Sequence, residues 1–300
     1  MFMLMKSCLM PVAGVLALGA VAACSPVQAL NAVTPGDTYH MTADVAYGTD
    51  PRQKLDVYTP LNAKGPAPVV VFFYGGNWNS GERSEYRFVG EALASRGMVA
   101  VLPDYRLYPQ VRYPGFVEDC AQAVAWTLTE VPRYGGDAGR VFVMGHSAGA
   151  YNAAMVVLDP RWLAAYGLTP AAVRGWVGLA GPYDFIPIKN EATRPVFLYP
   201  DTPPESQPIN HVGTGAPPAL LLASKKDDLV DPVRNTVALA TKLRAAGVAV
   251  TDVYFDKTSH ATLIGAMSRP LRGLAPVLDM IVRFVASDGD RIPPRKPLIR

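Results

Sequence analysis

Residues 145–149 read Gly-His-Ser-Ala-Gly and place Ser147 in the pattern G-x-S-x-G. The pentapeptide lies between an apolar run at residues 141–144 and a helix-forming run that begins at Ala148. This context predicts a nucleophile elbow, a sharp strand-to-helix turn that exposes the serine Oγ above the sheet. Glycine is needed on both sides because Cβ atoms two residues before and after the serine would collide. The pattern therefore predicts that Ser147 is a nucleophile.

A serine hydroxyl is a poor nucleophile without an adjacent base. The chain has four histidines, and in enzymes with this elbow the order is serine, acid, histidine. This order excludes His40, and His146 sits inside the elbow with its side chain expected to point away from the catalytic base. His211 lies in a proline-rich segment, whereas His260 directly follows a predicted strand. Because sites of this kind form at the carboxyl ends of sheet strands, we expect His260 to be the base.

Three carboxylates crowd one predicted loop, at Asp227, Asp228 and Asp231. One of them must accept a hydrogen bond from the base to hold its tautomer. Asp231 directly precedes a proline and is well placed to cap the helix that starts there. Asp184, which follows another predicted strand, is a distant competitor. From the residues alone, the choice of acid stays open.

These features resemble the α/β-hydrolase serine esterases, namely the carboxylesterases of the hormone-sensitive-lipase and feruloyl/acetylxylan-esterase kind. Kynurenine formamidases are more distantly related to this group. The likeness spans most of residues 55–286. It is carried by the elbow, by YGGNW at residues 74–78, by DYRL at 104–107, by the Asp227 loop and by Ser259-His260. The resemblance implies Asp227 as the acid, with Asp228 as the second choice. Residues 104–107 are assigned to structure, because a charged pair beside a buried strand more often braces loops.

The oxyanion loop of that family usually reads His-Gly-Gly-x-Trp, and this chain has Tyr74 at the histidine position. Such a loop acts through backbone N–H groups, so the resemblance implies an oxyanion hole formed by Gly76, Asn77 and Ala148. In that family the histidine side chain normally supports the loop from within. The sequence does not show what provides this support when the residue is Tyr74.

Four aromatic residues near predicted strand ends are candidates for a substrate pocket and are equally compatible with the core: Trp78, Tyr151, Tyr183 and Phe185. No pair of histidines has metal-ligand spacing and no cysteine cluster exists, so we expect no metal and no cofactor. The net charge of +3 is too small for a nucleic-acid groove, and no nucleic-acid partner is expected.

The expected function is hydrolysis of a small-molecule carboxylic ester through an acyl-enzyme, with a triad of Ser147, Asp227 and His260. One alternative is an amide hydrolase of the arylformamidase or serine-peptidase type. An alternative from another class is a catalytically inactive binding lipoprotein with a hydrolase fold, because fold does not fix function. The complete set of serine, acid, histidine and Gly-Gly loop argues against that alternative.

Alternation of apolar runs and helical patterns predicts the scaffold that must position these residues. We expect an α/β-hydrolase fold, a mostly parallel sheet flanked by helices with an N-terminal antiparallel hairpin. The hairpin is predicted over residues 38–47 and 53–58, and later strands over 68–74, 98–102, 141–144, 176–179, 219–223 and 250–255. Helices are predicted over residues 84–96, 117–131, 148–158, 233–246 and 271–286.

The N-terminal residues 1–23 hold one cation and an apolar run without acids, which is typical of a signal peptide. Residues 21–24 (VAAC) resemble the bacterial lipobox, which implies an acylated Cys24 as the first mature residue and a membrane partner. Cleavage after Ala29 is the competing possibility. The expected protein is exported, as an outer-membrane lipoprotein or a periplasmic protein.

The expected boundaries are a signal peptide at 1–23, a flexible linker at 24–37, the hydrolase domain at 38–286 and a loose basic tail at 287–300. Within the domain, residues 182–218 are rich in proline and predict an excursion over the active site.

Overall fold

An eight-stranded sheet forms the centre of the part of the chain described by the computed structural model, residues 26–290. Its strands are β1 (Tyr39–Ala46), β2 (Lys54–Pro60), β3 (Ala67–Phe73), β4 (Val99–Pro103), β5 (Gly136–His146), β6 (Gly175–Leu179), β7 (Ala219–Ser224) and β8 (Val250–Phe255). Their spatial order is β1-β2-β4-β3-β5-β6-β7-β8. The pairs β1–β2 and β2–β4 are antiparallel, and the other neighbouring strands are parallel. This confirms the predicted mostly parallel sheet with an N-terminal hairpin.

The helices predicted from residues 117 and 148 begin within two residues of those positions, whereas the one predicted from residue 84 starts as a 3₁₀ turn at Arg83 and becomes α-helical at Arg87. Eight α-helices flank the sheet in the described part of the chain. They are α1 (Pro26–Ala32), α2 (Arg87–Ala94), α3 (Gly115–Glu130), α4 (Ala148–Leu158), α5 (Pro160–Ala164), α6 (Ala238–Ala245), α7 (His260–Gly265) and α8 (Val277–Ala286). The helix predicted from residue 271 begins later, at Val277, because Pro276 is its N-cap and its missing N–H costs least at a helix start. The first turn of the helix predicted from residue 233 is a π-helical turn over Val233–Val237.

The central strands are apolar on both faces because helices cover both sides of the sheet. In β3, Val69, Val70 and Val71 are all 0% exposed although successive side chains point to opposite faces. The predicted core position of Cys120 in α3 is confirmed, since it is a free thiol that is 0% exposed.

The ends of the described chain are tied to this scaffold. The predicted linker 24–37 contains the short helix α1, in which Asn31 donates to the carbonyl of Ser84 at 2.7 Å and accepts from the N–H of Phe88 at 3.2 Å. At the other end, Asp288 pairs with Arg140 at 2.9 Å, so the first residues of the predicted tail are anchored.

The predicted signal peptide 1–23 and the predicted lipidation site Cys24 lie outside the described residues, as do residues 291–300. Among the helices of residues 26–290, none combines the length and the apolar character that a membrane span requires.

Candidate active site

Ser147 occupies the turn between β5, which ends at His146, and α4, which begins at Ala148. Its backbone is strained, with φ at 55° and ψ at −124°, and its N–H donates to the carbonyl of Leu179 in the neighbouring strand at 2.9 Å. The side chain is partly exposed and lines a cavity. The predicted elbow is therefore present.

Two glycines allow this turn. A Cβ added to Gly145 would lie 2.0 Å from the carbonyl oxygen of Gly149, and one added to Gly149 would lie 2.0 Å from the carbonyl oxygen of Phe73 in β3. Both are distances at which backbone would have to move. The turn therefore requires both glycines, but each added Cβ would meet backbone atoms rather than the other Cβ, and the elbow packs against the end of β3.

A continuous hydrogen-bonded chain joins Ser147, His260 and Asp227. Nδ1 of His260 lies 2.8 Å from Oδ2 of Asp227, and Nε2 of His260 lies 2.9 Å from Oγ of Ser147. An ionised carboxylate only accepts, so Nδ1 carries the proton and Nε2 accepts from the serine hydroxyl. The structure brings together the three residues selected from the sequence.

His260 is held at the start of a short helix rather than in the loop expected from the sequence. It is the first residue of α7, and Ser259 is the N-cap. Oγ of Ser259 accepts from the N–H of Thr262 at 3.3 Å, and Oγ1 of Thr262 accepts from the N–H of Ser259 at 2.7 Å. This capping box fixes the backbone from which the imidazole projects.

The side chain of Asp227 is 1% exposed. Its Oδ1 accepts backbone N–H bonds from Leu229 at 3.0 Å and from Val230 at 2.9 Å. Burial alone raises the pKa of Asp227, but the hydrogen bond and charge of His260 and the two N–H donors outweigh it, so the pKa lies below the ordinary value. Asp227 is therefore ionised at neutral pH and can balance a positive charge on the imidazole.

The competing candidates have other partners. Asp228 is exposed, and Asp231 accepts from two backbone N–H groups of the following turn at 2.8 and 3.2 Å, as expected of a cap. The carboxylate of Asp184 lies 3.3 Å from the guanidinium of Arg234. Nε2 of His211 lies 2.6 Å from a carbonyl oxygen within the proline-rich excursion. None of these four residues has a hydrogen bond to Oγ of Ser147 among the described residues, where its partner is His260.

His146 does not point away from the base, contrary to the expectation from the sequence. Its ring centroid lies 4.9 Å from that of His260, and its Nε2 lies 3.0 Å from the carbonyl oxygen of His260. The ring of His146 faces His260 because the turn at Ser147 brings the end of β5 against the start of α7, a tertiary contact that the local sequence does not indicate.

The loop after β3, residues 75–78, has a backbone that requires glycine. Gly76 has φ at 134°, and a Cβ there would lie 2.2 Å from the carbonyl oxygen of Ser80. Asn77 and Trp78 follow with φ at 51° and 57°. Successive residues in the left-handed region turn the chain sharply beside the nucleophile.

Three backbone N–H groups at this turn are available as donors. Those of Gly76, Asn77 and Ala148 have no acceptor among the described residues, and all three residues line the cavity at Ser147. The N–H of Ala148 is also the first of α4, where the helix dipole favours negative charge. The arrangement can accommodate a developing oxyanion.

The charged stretch 104–107 braces loops, as expected. Asp104 is buried and accepts from the hydroxyl of Tyr74 at 2.9 Å and from the N–H of Arg83 at 2.8 Å. The guanidinium of Arg106 lies 2.7 Å from the buried carboxylate of Asp119. Neither residue lines the cavity at Ser147.

The cavity at Ser147 has a volume of about 540 Å³, within the range of small-molecule sites. Its lining combines apolar and polar residues. The residues that line it include Gly76, Asn77, Trp78, Ser147, Ala148, Asp184, Phe185, Ile188, Leu229, Arg234, Asn235 and His260.

Of the four predicted pocket aromatics, Trp78 and Phe185 line the cavity and Tyr151 and Tyr183 do not. Tyr151 is 0% exposed, packs edge-on against Trp78 with centroids 5.0 Å apart, and donates to the carbonyl of Ser206 at 2.6 Å. Tyr183 is also 0% exposed, because its ring turns inward over the sheet glycine Gly178. Both predictions are corrected, since these rings belong to the core behind the cavity wall.

Sequence reasoning did not single out Arg234 or Asn235 in the cavity wall. Oδ1 of Asn235 accepts from the N–H groups of Tyr183 and Asp184 at 2.6 and 2.9 Å, which fastens the excursion to the turn after β7. These contacts join residues about 50 positions apart, and no local pattern in the sequence indicates them.

Comparison with known proteins places the chain among esterases. Residues 55–243 match the family model described as BD-FAE. Isoprenylcysteine alpha-carbonyl methylesterase ICME of Arabidopsis thaliana is 28% identical over 283 residues, which cover 85% of this chain and 66% of that protein. Esterase LipC of Mycobacterium tuberculosis is 32% identical over 220 residues, which cover 67% of this chain and 54% of that protein. The chain thus spans about half to two thirds of the length of these two curated relatives.

A solved structure described as a bacterial heroin esterase superposes with a TM-score of 0.67 at 26% identity, covering 86% of this chain and 88% of that one. The shared architecture confirms the predicted α/β-hydrolase fold.

Proposed function

The chain belongs to the BD-FAE family of α/β-hydrolase serine esterases, and we propose that it hydrolyses carboxylic esters through an acyl-enzyme. The observation that carries the proposal is the hydrogen-bonded chain from Asp227 through His260 to Ser147, with separations of 2.8 and 2.9 Å, at the edge of a cavity. Ser147 is the nucleophile, His260 the general base and Asp227 the residue that orients the base.

In acylation, Oγ of Ser147 attacks the ester carbonyl carbon while Nε2 of His260 takes the hydroxyl proton. The carbonyl oxygen becomes an oxyanion, which the N–H groups of Gly76, Asn77 and Ala148 stabilise. As the intermediate collapses, the carbon–oxygen bond to the alcohol breaks, and His260 returns the proton to the departing oxygen.

In deacylation, a water takes the place of the alcohol. His260 accepts one proton from the water as its oxygen attacks the acyl carbon, and returns that proton to Oγ of Ser147 when the acyl bond breaks. The products are a carboxylic acid and regenerated serine. Asp227 remains ionised and holds the imidazole throughout.

The volume and the mixed lining of the cavity support a substrate of limited size with both apolar and polar parts. Trp78, Phe185 and Ile188 can pack against an apolar acyl or aryl group, and Asp184 and Arg234 face a polar one. The esterase names of the relatives support ester rather than amide hydrolysis as the reaction.

The decisive experiment compares wild type and Ser147→Ala on p-nitrophenyl esters from acetate to palmitate, with methyl ferulate and N-formylkynurenine beside them. We expect ester hydrolysis by the wild type and labelling of Ser147 by a fluorophosphonate. The variant should lose about 10⁶-fold in kcat and all labelling while its circular dichroism is unchanged. Activity retained by a folded variant, or preference for the amide, contradicts the proposal.

We also propose export with a lipid anchor at Cys24. The support is the apolar run of residues 11–23 that ends directly at the lipobox-like residues 21–24. Acyl chains on Cys24 would contribute about 0.8 kcal/mol per buried CH₂ to membrane binding.

A further inference from the structure

His146 is a buried imidazole that the catalytic steps do not use. It is 5% exposed and lies between the base and the oxyanion loop. Its Nε2 is 3.0 Å from the carbonyl oxygen of His260, and a Cβ built on Gly75 would lie 3.4 Å from its Nδ1. Since His146 directly precedes Ser147, it can connect the backbone of the nucleophile to the backbone of the base.

The hydrogen bond to His260 determines which nitrogen of His146 carries the proton. A carbonyl oxygen can only accept, so Nε2 of His146 is the donor. Burial, reinforced by the nearby charge of His260, lowers the pKa of His146 to about 3, so the imidazole is neutral. Its Nδ1 is then a lone pair, and among the described residues it has no donor. Within the described part of the chain, the ring therefore makes one hydrogen bond, to the carbonyl oxygen of His260.

The hydrogen bond from His146 ties the backbone of His260 directly to the elbow. Helix α7 has six residues, and a helix of that length is marginal without tertiary support. The capping box at Ser259 holds its first turn, and the hydroxyl of Ser224 donates to the carbonyl of Thr258, but neither contact reaches the elbow. Displacement of a catalytic group by about 1 Å can cost about 10²-fold in rate.

We propose that His146 is a positioning residue, which sets the place of His260 between Asp227 and Ser147 by donating from Nε2 to the backbone carbonyl of His260. The inference rests on the proposed esterase function for its kinetic consequence. It predicts a larger change in kcat than in KM, because the hydrogen bond acts on the base, although His146 also contributes to the lining of the cavity.

Three substitutions at this position separate the hydrogen bond from the bulk of the side chain. His146→Gln carries an amide that reaches the position of Nε2, His146→Asn carries the same amide at the position of Nδ1, and His146→Leu has no donor. The kinetics on p-nitrophenyl acetate are measured well below each thermal midpoint. We expect the Gln variant to remain within about threefold of wild type in kcat. The Asn and Leu variants should fall about 10- to 100-fold, with KM within twofold.

A second measurement does not depend on ester hydrolysis. The Nδ1 proton of His260, held by Asp227 at 2.8 Å, should give a far-downfield ¹H NMR resonance in the wild type. The resonance should persist in the Gln variant and broaden or disappear in the Asn and Leu variants. Equal behaviour of the Gln and Asn variants, in kcat or in this resonance, overturns the inference. A wild type without esterase activity contradicts the proposed function alone, and the resonance then decides the role of His146.

Discussion

The hydroxyl of Tyr74 donates a hydrogen bond of 2.9 Å to the buried carboxylate of Asp104, immediately before the loop that carries Gly76. The same hydroxyl accepts from Arg52 at 2.7 Å, and the hydroxyl of Tyr105 donates to the carbonyl of Tyr74 at 2.7 Å. Burial, with the charge of Asp104, raises the pKa of Tyr74 well above its ordinary value, so the hydroxyl remains a donor. The tyrosine thus supports the loop from the position at which the sequence resemblance leads us to expect a histidine.

Replacement of Tyr74 by phenylalanine tests this support. Tyr74→Phe should reduce the free energy of unfolding by about 1–3 kcal/mol, because Asp104 and Arg52 each lose a partner at a buried site. Urea unfolding measures the change. Tyr199→Phe is the matched control, because Tyr199 is 48% exposed and its hydroxyl has no hydrogen bond among the described residues. Equal stability of the two variants would show that the hydroxyl of Tyr74 is not a support.

The acid of the triad is tested by two neighbouring residues. Asp227→Asn should lower kcat about 10⁴-fold, because an amide can hold His260 in the wrong tautomer. Asp228→Asn should remain close to wild type, because Asp228 is exposed. Steady-state kinetics on p-nitrophenyl acetate measure both. The reverse ranking would move the role to Asp228 and leave the rest of the mechanism unchanged.

The neutral, buried His146 makes stability depend on pH. Its pKa is about 3 in the folded protein, because of burial and the charge of His260, while in the unfolded chain a histidine titrates near ~6.5. The unfolded state therefore takes up a proton as pH falls from about 6.5 towards 3, and the stability associated with neutral His146 is lost over that interval. From pH 7 to 5, the wild type should lose about 2 kcal/mol more than His146→Gln. Urea unfolding at both pH values measures this, and equal losses would contradict the burial of a neutral imidazole.

The lipid anchor is tested by Cys24→Ser in the full-length precursor, expressed in a bacterium with two membranes. The wild type should fractionate with membranes, resist salt extraction and dissolve in detergent, and its mature N-terminus should be an acylated Cys24 by mass spectrometry. The substitution should block processing or release the protein. A soluble mature chain that begins at Leu30 would instead support cleavage after Ala29.

The sheet and the proximity of Ser147, His260 and Asp227 could be predicted because their signals are local or follow the order of the chain. Residues 148–158 and 250–255 match α4 and β8 at both ends, and the elbow is one continuous pentapeptide. Asp227 and His260 each follow directly on a predicted strand. Because the strands are parallel, their carboxyl ends meet at one edge, and residues 33 positions apart come within 2.8 Å.

The remaining features depend on the direction of side chains across elements that are distant in the sequence. The ring of His146 contacts His260, 114 residues away, and nothing in the pattern G-x-S-x-G indicates its orientation. Tyr151 and Tyr183 occupy predicted positions near strand ends, but whether a ring faces the cavity or the core depends on its packing partners. The ring of Tyr183 faces the core because Gly178 has no side chain and leaves room for its hydroxyl.

The last prediction asks whether Gly76 is needed only for the backbone turn of residues 75–78 or also to hold the N–H groups that stabilise the oxyanion. In Gly76→Ala, the methyl group would meet the carbonyl oxygen of Ser80 at 2.2 Å in a backbone with φ at 134°, so residues 76–80 must move. Because the N–H groups of Gly76 and Asn77 then leave their positions, kcat should fall by about 10²-fold or more, as when one oxyanion donor is lost. Gly65→Ala is the control, since a Cβ there meets nothing within 4 Å and its φ is ordinary. Kinetics together with urea unfolding decide the outcome. A Gly76→Ala variant that is destabilised but keeps the wild-type kcat would show that the glycine serves the turn alone, and that the oxyanion donors lie elsewhere.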